Sequence, residues 1–349
     1  MIGIGHASGH HGELLQGIFL DDAGKPCRGL VTLPTPHAGV HAEYRRCADL
    51  AAGHVVVDPP DRTKAAKAAV LAVAECAARV DVPATGGRLH LRGHLPVGLG
   101  MGSSSADIIA TIRAVAACYR CVLSPTDIAR IAVRAETASD PLMHDGQPVL
   151  FAQREGRILE DLGASLPPLA VVGCCTGGGR PVDTLALRPE YGPADLARFE
   201  RLRARLRAAI RAADPAGVGE VCTASSLLNQ RVLPKAELAT LQEIGDDVGA
   251  VGVQVAHSGN VAGLLFDATR PDLAQQLHSC RVRLRRAGIP PTRTFRVRQH
   301  SAQRSPQGPA HAWTSNSATK EDVRARPHQP GHRHPRPGAA RGRARLPEV

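Results

Sequence analysis

Aromatic residues are scarce in this sequence, with one Trp, three Tyr and five Phe among 349 residues. The sequence also lacks any run of about 18 consecutive apolar residues, which argues against a helical membrane span. Residues 1–6 carry neither the basic nor the apolar segment of a secretory signal peptide. Apolar residues still make up 43% of the chain. We therefore expect a globular, cytoplasmic protein with an aliphatic core.

Acidic residues are outnumbered mainly at one end of the chain, although the formal net charge of the whole is +11. Residues 291–349 hold twelve basic and three acidic side chains, so the remainder is nearly neutral. Large apolar residues become rare from about residue 299, which predicts a disordered basic tail over residues 299–349. A nucleic-acid-binding arm is the alternative, and an out-of-frame extension is one origin of a disordered tail with this composition. Trp313 is the one aromatic residue in this tail, too few for a platform on which bases could stack, so we do not expect nucleic acid as a partner.

The nine cysteines form no recognisable framework. Cys118 and Cys121 make a single CxxC pair inside a helical pattern, with no second pair to complete a zinc site. Small buried thiols are common in such patterns. The sequence therefore predicts reduced, structural cysteines.

Hydrophobic periodicity predicts an α+β protein with no regular strand–helix–strand repeat. Alternating residues indicate strands at 39–44, 88–92 and 251–255, and apolar segments indicate further strands at 168–174 and 264–266. Helical spacing covers 108–119, 194–213 and 234–246, and residues 149–159 are typical of a hairpin. Ser124, Pro125 and Asp127 provide a helix start, and that helix should end near Glu136. The domain division is predicted near residue 165.

The strongest chemical signal is the loop PVGLGMGSSSA at residues 96–106. Three alternating glycines let the backbone turn tightly and approach a ligand closely. The three serines that follow are predicted to cap the next helix, whose N-terminal N–H groups then face an anion. The loop has no lysine, so it is not a Walker A motif. A tight connection is the simpler alternative, but the order strand, glycines, serines, helix favours phosphate binding.

Three motifs together resemble the GHMP kinases, the superfamily of galactokinase, homoserine kinase, mevalonate kinase and phosphomevalonate kinase. The glycine loop is similar to the second motif, P-x-G-x-G-L-G-S-S-A-A, with Met101 and Ser105 as mild departures. AHSGNVAG at residues 256–263 resembles the third motif and departs from it at residues 260–262. GELLQG at residues 12–17 resembles the L-threonine kinase branch, of the propanediol-utilisation and cobalamin type. The resemblance covers roughly residues 5–298.

The resemblance implies a two-domain GHMP kinase fold. Residues 1–165 would form a ribosomal protein S5 domain 2-like ATP-binding domain, and residues 166–298 a ferredoxin-like domain. The implied reaction is ATP- and Mg²⁺-dependent transfer of the γ-phosphoryl group to L-threonine, giving O-phospho-L-threonine for adenosylcobalamin synthesis. A kinase for another hydroxylated metabolite such as homoserine, or an inactive binding protein of this fold, are the alternatives. The expected partner is a small hydroxy amino acid. The sequence leaves the oligomeric state open, with a homodimer as one candidate.

The resemblance also implies roles for individual residues. The nucleotide phosphates are assigned to Pro96, Gly98, Leu99, Gly100, Met101, Gly102, Ser103, Ser104, Ser105, Ser258 and Gly259. Ser104 and Glu136 would hold Mg²⁺, and Asp140 would act as base beside Glu136, with Asp145 as the competing candidate. Taken alone, these carboxylates would be interpreted as a solvated helix end; their distance from the glycine loop favours function.

The acceptor is assigned to three residues: Glu13, Gln16 and Asn229. For Glu13 and Gln16 a surface turn with a β-bulge is the alternative interpretation. His10 and His11 lie next to Glu13, but their spacing is not typical of a metal site. We interpret these two histidines as structural or supporting residues.

Overall fold

The computed structural model describes residues 1–93, 95–180, 182 and 189–297. Residues 1–302 form one compact unit. The predicted tail, residues 299–349, lies outside the described residues. The predicted domain division near residue 165 falls inside the compact unit and stays a prediction.

The described residues form ten strands and seven α-helices. The strands are β1 (Ile2–Leu20), β2 (Pro26–Arg46), β3 (Val55–Asp58), β4 (Gly87–Gly93), β5 (Val149–Ala152), β6 (Arg157–Asp161), β7 (Leu169–Cys175), β8 (Gly252–Val255), β9 (Val261–Asp267) and β10 (Pro291–Arg296). The helices are α1 (Thr63–Arg79), α2 (Ser103–Tyr119), α3 (Pro125–Glu136), α4 (Pro193–Arg211), α5 (Pro215–Asn229), α6 (Leu238–Val248) and α7 (Leu273–Arg286). Short 3₁₀ turns occupy Leu142–His144 and Gly177–Gly179. The α+β prediction is confirmed.

All the strands belong to one curled sheet, in the order β10-β7-β9-β8-β1-β2-β4-β3, with β5 and β6 branching from β2. The last four strands have the order β10-β7-β9-β8 with helices after β7 and after β9, which is the ferredoxin-like arrangement. The ferredoxin-like C-terminal half predicted from the sequence is therefore confirmed.

Strand β1 connects the two parts of the sheet because it pairs with β2 along its length and with β8 at one point, Glu13 opposite Val255. Its register against β2 shifts between Ser8 and Leu15, as a β-bulge does. Near its start, α2 packs so closely that a Cβ on Gly3 or Gly5 would lie 2.1 Å from a helix carbonyl oxygen. The bulged segment of β1 thereby meets the start of α2 and the loop after β8.

The core is aliphatic, as the composition predicted, and it is rich in alanine. Helices α1 and α2 pack on each other through residues such as Ala69, Ala72 and Ile109, which are fully buried. A second cluster under α4 and α5 contains Phe19 and Phe199, whose rings meet edge-on at 5.9 Å. These clusters hold the bulged part of β1 between them.

Most of the predicted elements are present. Ser124 caps α3 in a capping box with Asp127, and the helix ends at Glu136 as expected. Helix α6 begins at Leu238, four residues after the predicted start. All nine cysteines are free thiols. Among the described residues, no helix has the length and apolar character needed to cross a membrane.

Candidate active site

One cavity of about 480 Å³ brings together most of the residues predicted to act. The three motif segments reach it from β1, from the start of α2 and from the loop after β8. Its lining includes the predicted residues Gln16, Gly98, Gly100, Met101, Gly102, Ser103, Ser104, Ser105, Glu136, Asp140 and Ser258. Pro96, Leu99, Glu13, Asn229 and Gly259 are not part of that lining.

The second and third motifs meet backbone against backbone. A Cβ on Gly259 would lie 2.2 Å from the carbonyl oxygen of Leu99 and from the nitrogen of Gly100. The same Leu99 carbonyl accepts hydrogen bonds from the backbone nitrogens of Asn260 at 3.0 Å and Val261 at 3.1 Å. Leu99 and Gly259 therefore shape the glycine loop from behind the cavity.

The N-terminus of α2 opens on the cavity without a capping side chain. The N-cap residue is Gly102, with φ of 69°, and no side chain bonds to this end of the helix. The prediction that the serines cap α2 is therefore wrong: Ser103, Ser104 and Ser105 form its first turn. A left-handed N-cap favours glycine, because L side chains are strained there. The resulting positive end of the helix dipole, with Lys64 beside it, is suited to an anion.

Ser104 and Glu136 form the part of the site that fits a divalent cation. Burial raises the pKa of Glu136, and hydrogen bonds from Lys64 and Ser104 oppose that rise. Glu136 Oε1 lies 2.8 Å from Lys64 Nζ, while its Oε2 is buried without a protein partner. An unpartnered carboxylate oxygen beside a serine hydroxyl is the donor set that Mg²⁺ prefers. These residues therefore fit the metal that the resemblance implies.

Asp140 follows Glu136 through a short, well-anchored turn. Thr137 ends α3 with φ of 79°, a conformation that is unusual for a β-branched residue and redirects the chain toward the cavity. The Asp140 nitrogen then donates to Ser105 Oγ at 3.0 Å, and the Ser139 nitrogen donates to the Gln153 carbonyl at 2.9 Å. The Ser105 hydroxyl thus anchors Asp140.

The two competing aspartates occupy different surroundings. The Asp140 side chain is 22% exposed and lines the cavity. The Asp145 side chain is 62% exposed, lies 3.0 Å from Arg113 Nη2, and does not line the cavity. Its φ of 53° is typical of a residue that closes a turn. This placement favours Asp140 as the residue that meets an acceptor.

His10 connects the first motif to Asp140. Its ring is buried, with Nε2 3.2 Å from Asp140 Oδ2 and Nδ1 3.1 Å from the Gly12 carbonyl oxygen. Burial would raise the pKa of Asp140, but the charge of the neighbouring His10 and a hydrogen bond from Ser105 hold it below its usual value. His10, Glu13 and Asp140 place one potential ligand atom each within 4.8 Å of one another. They form the one such group of three or more found in the described part of the chain.

Glu13 lies inside the protein rather than in a surface turn. Its Oε2 accepts a hydrogen bond from the backbone nitrogen of His257 at 2.8 Å, and its side chain is 2% exposed. The β-bulge of the alternative interpretation is present, but the surface turn is not, because Glu13 is buried. The carboxylate joins the first motif to the third, so a direct contact of Glu13 with the acceptor stays a prediction without geometric support.

A serine, a histidine and a carboxylate line up behind the cavity. His257 Nε2 lies 2.9 Å from Ser225 Oγ, and His257 Nδ1 lies 3.3 Å from Glu13 Oε2. Ser225 is fully buried and does not line the cavity. A hydroxyl that no substrate can reach is not a nucleophile, so this alignment is structural.

Lys235 is a second buried polar residue in the same region. Its Nζ donates to the Gly259 carbonyl at 2.6 Å, and its side chain is buried. Burial lowers the pKa of this amine to about 8, although Glu13 and Glu237 act in the opposite direction. The lysine therefore holds the third motif in place through its hydrogen bond to the Gly259 carbonyl.

The lining of the cavity also contains polar residues that the sequence analysis missed. Gln16 and Gln153 each have a buried Oε1 without a protein partner. Arg28, Arg154 and Tyr191 complete this group. Asn229, predicted to line the cavity, instead lies buried at the end of α5. Pairing of Leu30 with both Gln16 and Phe151 brings this group together, and no local motif records that pairing.

Comparison with known proteins shows which sequences and structures this chain is similar to. Residues 64–146 match the GHMP kinases N terminal domain. An L-threonine kinase from Salmonella typhimurium is 28% identical over 203 residues, which cover 54% of this chain and 62% of that protein. An L-threonine kinase from Citrobacter freundii is 27% identical over 189 residues, covering 53% and 64%. The chain thus spans somewhat less than two thirds of the length of the curated relatives it matches.

Solved structures show the same fold at low identity. A homoserine kinase from Cytophaga hutchinsonii has a TM-score of 0.61 at 14% identity, covering 85% of this chain and 95% of that chain. MDDEF in complex with MVAPP, AMPPCP and magnesium has a TM-score of 0.58 at 14% identity, covering 86% and 98%. The chain has the GHMP kinase fold, and it resembles the L-threonine kinases in sequence.

Proposed function

We propose that this protein is an ATP-dependent kinase that transfers the γ-phosphoryl group to the hydroxyl of L-threonine. The observation that carries the proposal is the single cavity that holds the open N-terminus of α2, the Ser104–Glu136 pair and Asp140. An anion site, a cation site and a carboxylate next to one another are the components that phosphoryl transfer requires.

Each part of the cavity has a distinct task in this proposal. The first turn of α2 and Lys64 bind the phosphates, and Ser104 and Glu136 hold Mg²⁺. The metal, when bound, would offset the charge on the phosphate oxygens. Asp140 accepts a hydrogen bond from the acceptor hydroxyl, orients its oxygen and takes up its proton as the new O–P bond forms and the bond from the γ-phosphorus to the bridging oxygen breaks, which releases ADP. The motif junction at Gly259 keeps the loop rigid behind the phosphates.

The polar residues in the lining of the cavity support an amino acid as the acceptor. The unpartnered Oε1 atoms of Gln16 and Gln153 can each accept a hydrogen bond from an ammonium group, and the guanidinium groups of Arg28 and Arg154 attract a carboxylate. Similarity to two L-threonine kinases favours L-threonine within this class. O-phospho-L-threonine for adenosylcobalamin synthesis, a cytoplasmic location and a homodimer are part of the same proposal.

An ATP-consumption screen tests this function. The purified full chain would be incubated with ATP, Mg²⁺ and one acceptor each: threonine, serine, homoserine or mevalonate. We expect the highest kcat/KM with threonine, and ³¹P NMR of the product would show a phosphate monoester. Faster turnover of homoserine or mevalonate would overturn the acceptor, and nucleotide binding without turnover of any acceptor would indicate an inactive binding protein.

A further inference from the structure

The cluster of His10, Glu13 and Asp140 lies where three distant segments meet. His10 and Glu13 belong to the bulged part of β1, and Asp140 belongs to the turn after α3. His10 is 1% exposed, and its ring packs against Gly102, where an added Cβ would lie 2.5 Å from His10 Cδ2. The backbone nitrogen of His10 also donates a hydrogen bond to the Met101 carbonyl oxygen at 3.2 Å. His10 therefore contacts the glycine loop and Asp140 at once.

The partners of the His10 ring define its protonation. Nδ1 lies 3.1 Å from the Gly12 carbonyl oxygen, which can only accept, so Nδ1 carries a proton. Nε2 lies 3.2 Å from Asp140 Oδ2, and an ionised carboxylate also only accepts. The N–H of Nε2 is not aimed straight at that oxygen, so the contact is an ion pair rather than a linear hydrogen bond. Both ring nitrogens are protonated in this arrangement.

The charges around His10 agree with an imidazolium. Glu13 Oε1 lies 3.9 Å from Nδ1, and Asp140 faces the other side of the ring. Burial would lower the pKa of His10, but Asp140 and Glu13 raise it to about 9. The neighbouring His11 turns away: its Nδ1 lies 3.1 Å from Gln254 Oε1, and its ring lies 5.4 Å from that of Phe295. An imidazolium has no lone pair for a metal, so the cluster is suited to an ion pair.

We propose that His10 is a positioning residue: as a buried imidazolium held by the Gly12 carbonyl, it keeps Asp140 ionised and fixed at the edge of the cavity. This inference rests on the proposed function, because Asp140 there meets the acceptor hydroxyl. Without His10, burial would favour the protonated form of Asp140. The lower pH limit of catalysis would therefore move upward by about 1–3 pH units, the shift that an opposite charge at this distance produces.

The test compares two adjacent buried histidines. His10→Gln removes the charge and keeps most of the volume, and His11→Gln is the matched control, since His11 does not contact Asp140. We expect the loss of kcat in His10→Gln to grow as the pH falls, to about tenfold or more near pH 5, and the variant to approach the parent near pH 8.5. On the acidic side of the profile of kcat against pH, His11→Gln should coincide with the parent. Added imidazole should partly restore His10→Ala.

A readout without turnover separates this inference from the proposed function. Two-dimensional NMR of ¹⁵N-histidine-labelled protein would follow each ring as the pH rises. We expect one resonance, absent in His10→Gln, to stay in the imidazolium form past neutral pH, and to titrate at lower pH in Asp140→Asn. A His10 ring that titrates at its ordinary value of about 6.5 would overturn the ion pair even if no acceptor is phosphorylated. A pH-independent loss of kcat in His10→Gln would reduce its role to packing.

Discussion

Asp140 and Asp145 differ by five positions, and the structure separates their chemistry. Asp140 lines the cavity with its nitrogen held by Ser105, whereas Asp145 pairs with Arg113 at the surface. We expect Asp140→Asn to lower kcat by about 10²–10⁴-fold with little change in ATP affinity. Asp145→Asn should lower kcat far less. Steady-state kinetics with one acceptor at saturating ATP would check both variants. A larger loss of kcat in Asp145→Asn than in Asp140→Asn would reverse the assignment.

Glu136 offers a second test at the residue scale. Glu136→Gln keeps the shape of the side chain but removes the charge that would hold Mg²⁺. We expect kcat at low Mg²⁺ to fall by about tenfold or more and to recover in part as Mg²⁺ is raised. Glu75→Gln is the control, because Glu75 pairs with Arg79 and Arg130 instead. If kcat depends on Mg²⁺ in the same way in both variants, Glu136 does not hold Mg²⁺ and only pairs with Lys64.

Lys235 predicts a pH dependence of stability. Its pKa is about 8 in the folded state and near 10.4 in an unfolded chain. Between these values the unfolded chain binds more protons, so the lysine's contribution to the free energy of unfolding increases with pH. From pH 7 to about 9.5, the parent should gain roughly 2 kcal/mol relative to Lys235→Met. Urea unfolding at both pH values measures this difference, and parallel pH dependence would contradict it.

At the scale of elements, the contact between the second and third motifs, at Leu99 and Gly259, is the feature most sensitive to added side-chain volume. A Cβ on Gly259 would press on the Leu99 carbonyl and the Gly100 nitrogen. We expect Gly259→Ala to lower the free energy of unfolding by about 1–3 kcal/mol and to weaken nucleotide binding. In Gly192→Ala the new Cβ meets nothing within 4 Å. Chemical denaturation and nucleotide titration of both variants would check this, and equal behaviour would show that the loops can separate at no cost.

Elements with regular periodicity or strong caps were predictable from the sequence. Helix α3 is the best example, because the capping box of Ser124 and Asp127 is entirely local. Strand β1 was not predicted, since its histidines and glycines alternate in no apolar pattern. Its extended form depends on pairing with β2 and on α2 packing against Gly3 and Gly5. Non-local pairing of this kind leaves no signal within a short window.

The candidate site follows the same rule. The glycine loop and the carboxylates at and just after the end of α3 were predictable because each group is contiguous in the chain. Gln153 was not, because its position depends on the pairing of β5 with β2 and on the bond from Ser139 to its carbonyl. The side-chain partners of Glu13 were also not predictable, since the hydrogen bond to His257 joins residues 244 positions apart.

At the scale of the whole molecule, the compact unit should not need the basic tail. Val297 is buried and its nitrogen donates to the Leu169 carbonyl at 2.9 Å, so the described core continues to that residue. Truncation after Arg298 should leave Tm and kcat close to those of the parent. Truncation after Gly288 is the control, because it removes β10, which pairs with β7. Thermal melting and activity assays would decide, and a large loss of Tm on truncation after Arg298 would contradict the prediction.

Strand β1 also restricts how related chains can exchange parts by recombination. A crossover near residue 165 would take β1 and β2 from one parent and the strands from β7 onward from the other. The chimera would then have to match Glu13 to Val255 and His257, and the Leu99 loop to Gly259, across the seam. Segments around residues 8–17 and 252–260 must therefore be inherited together, although more than two hundred residues separate them. The two halves of this molecule are neighbours in sequence but are not interchangeable modules.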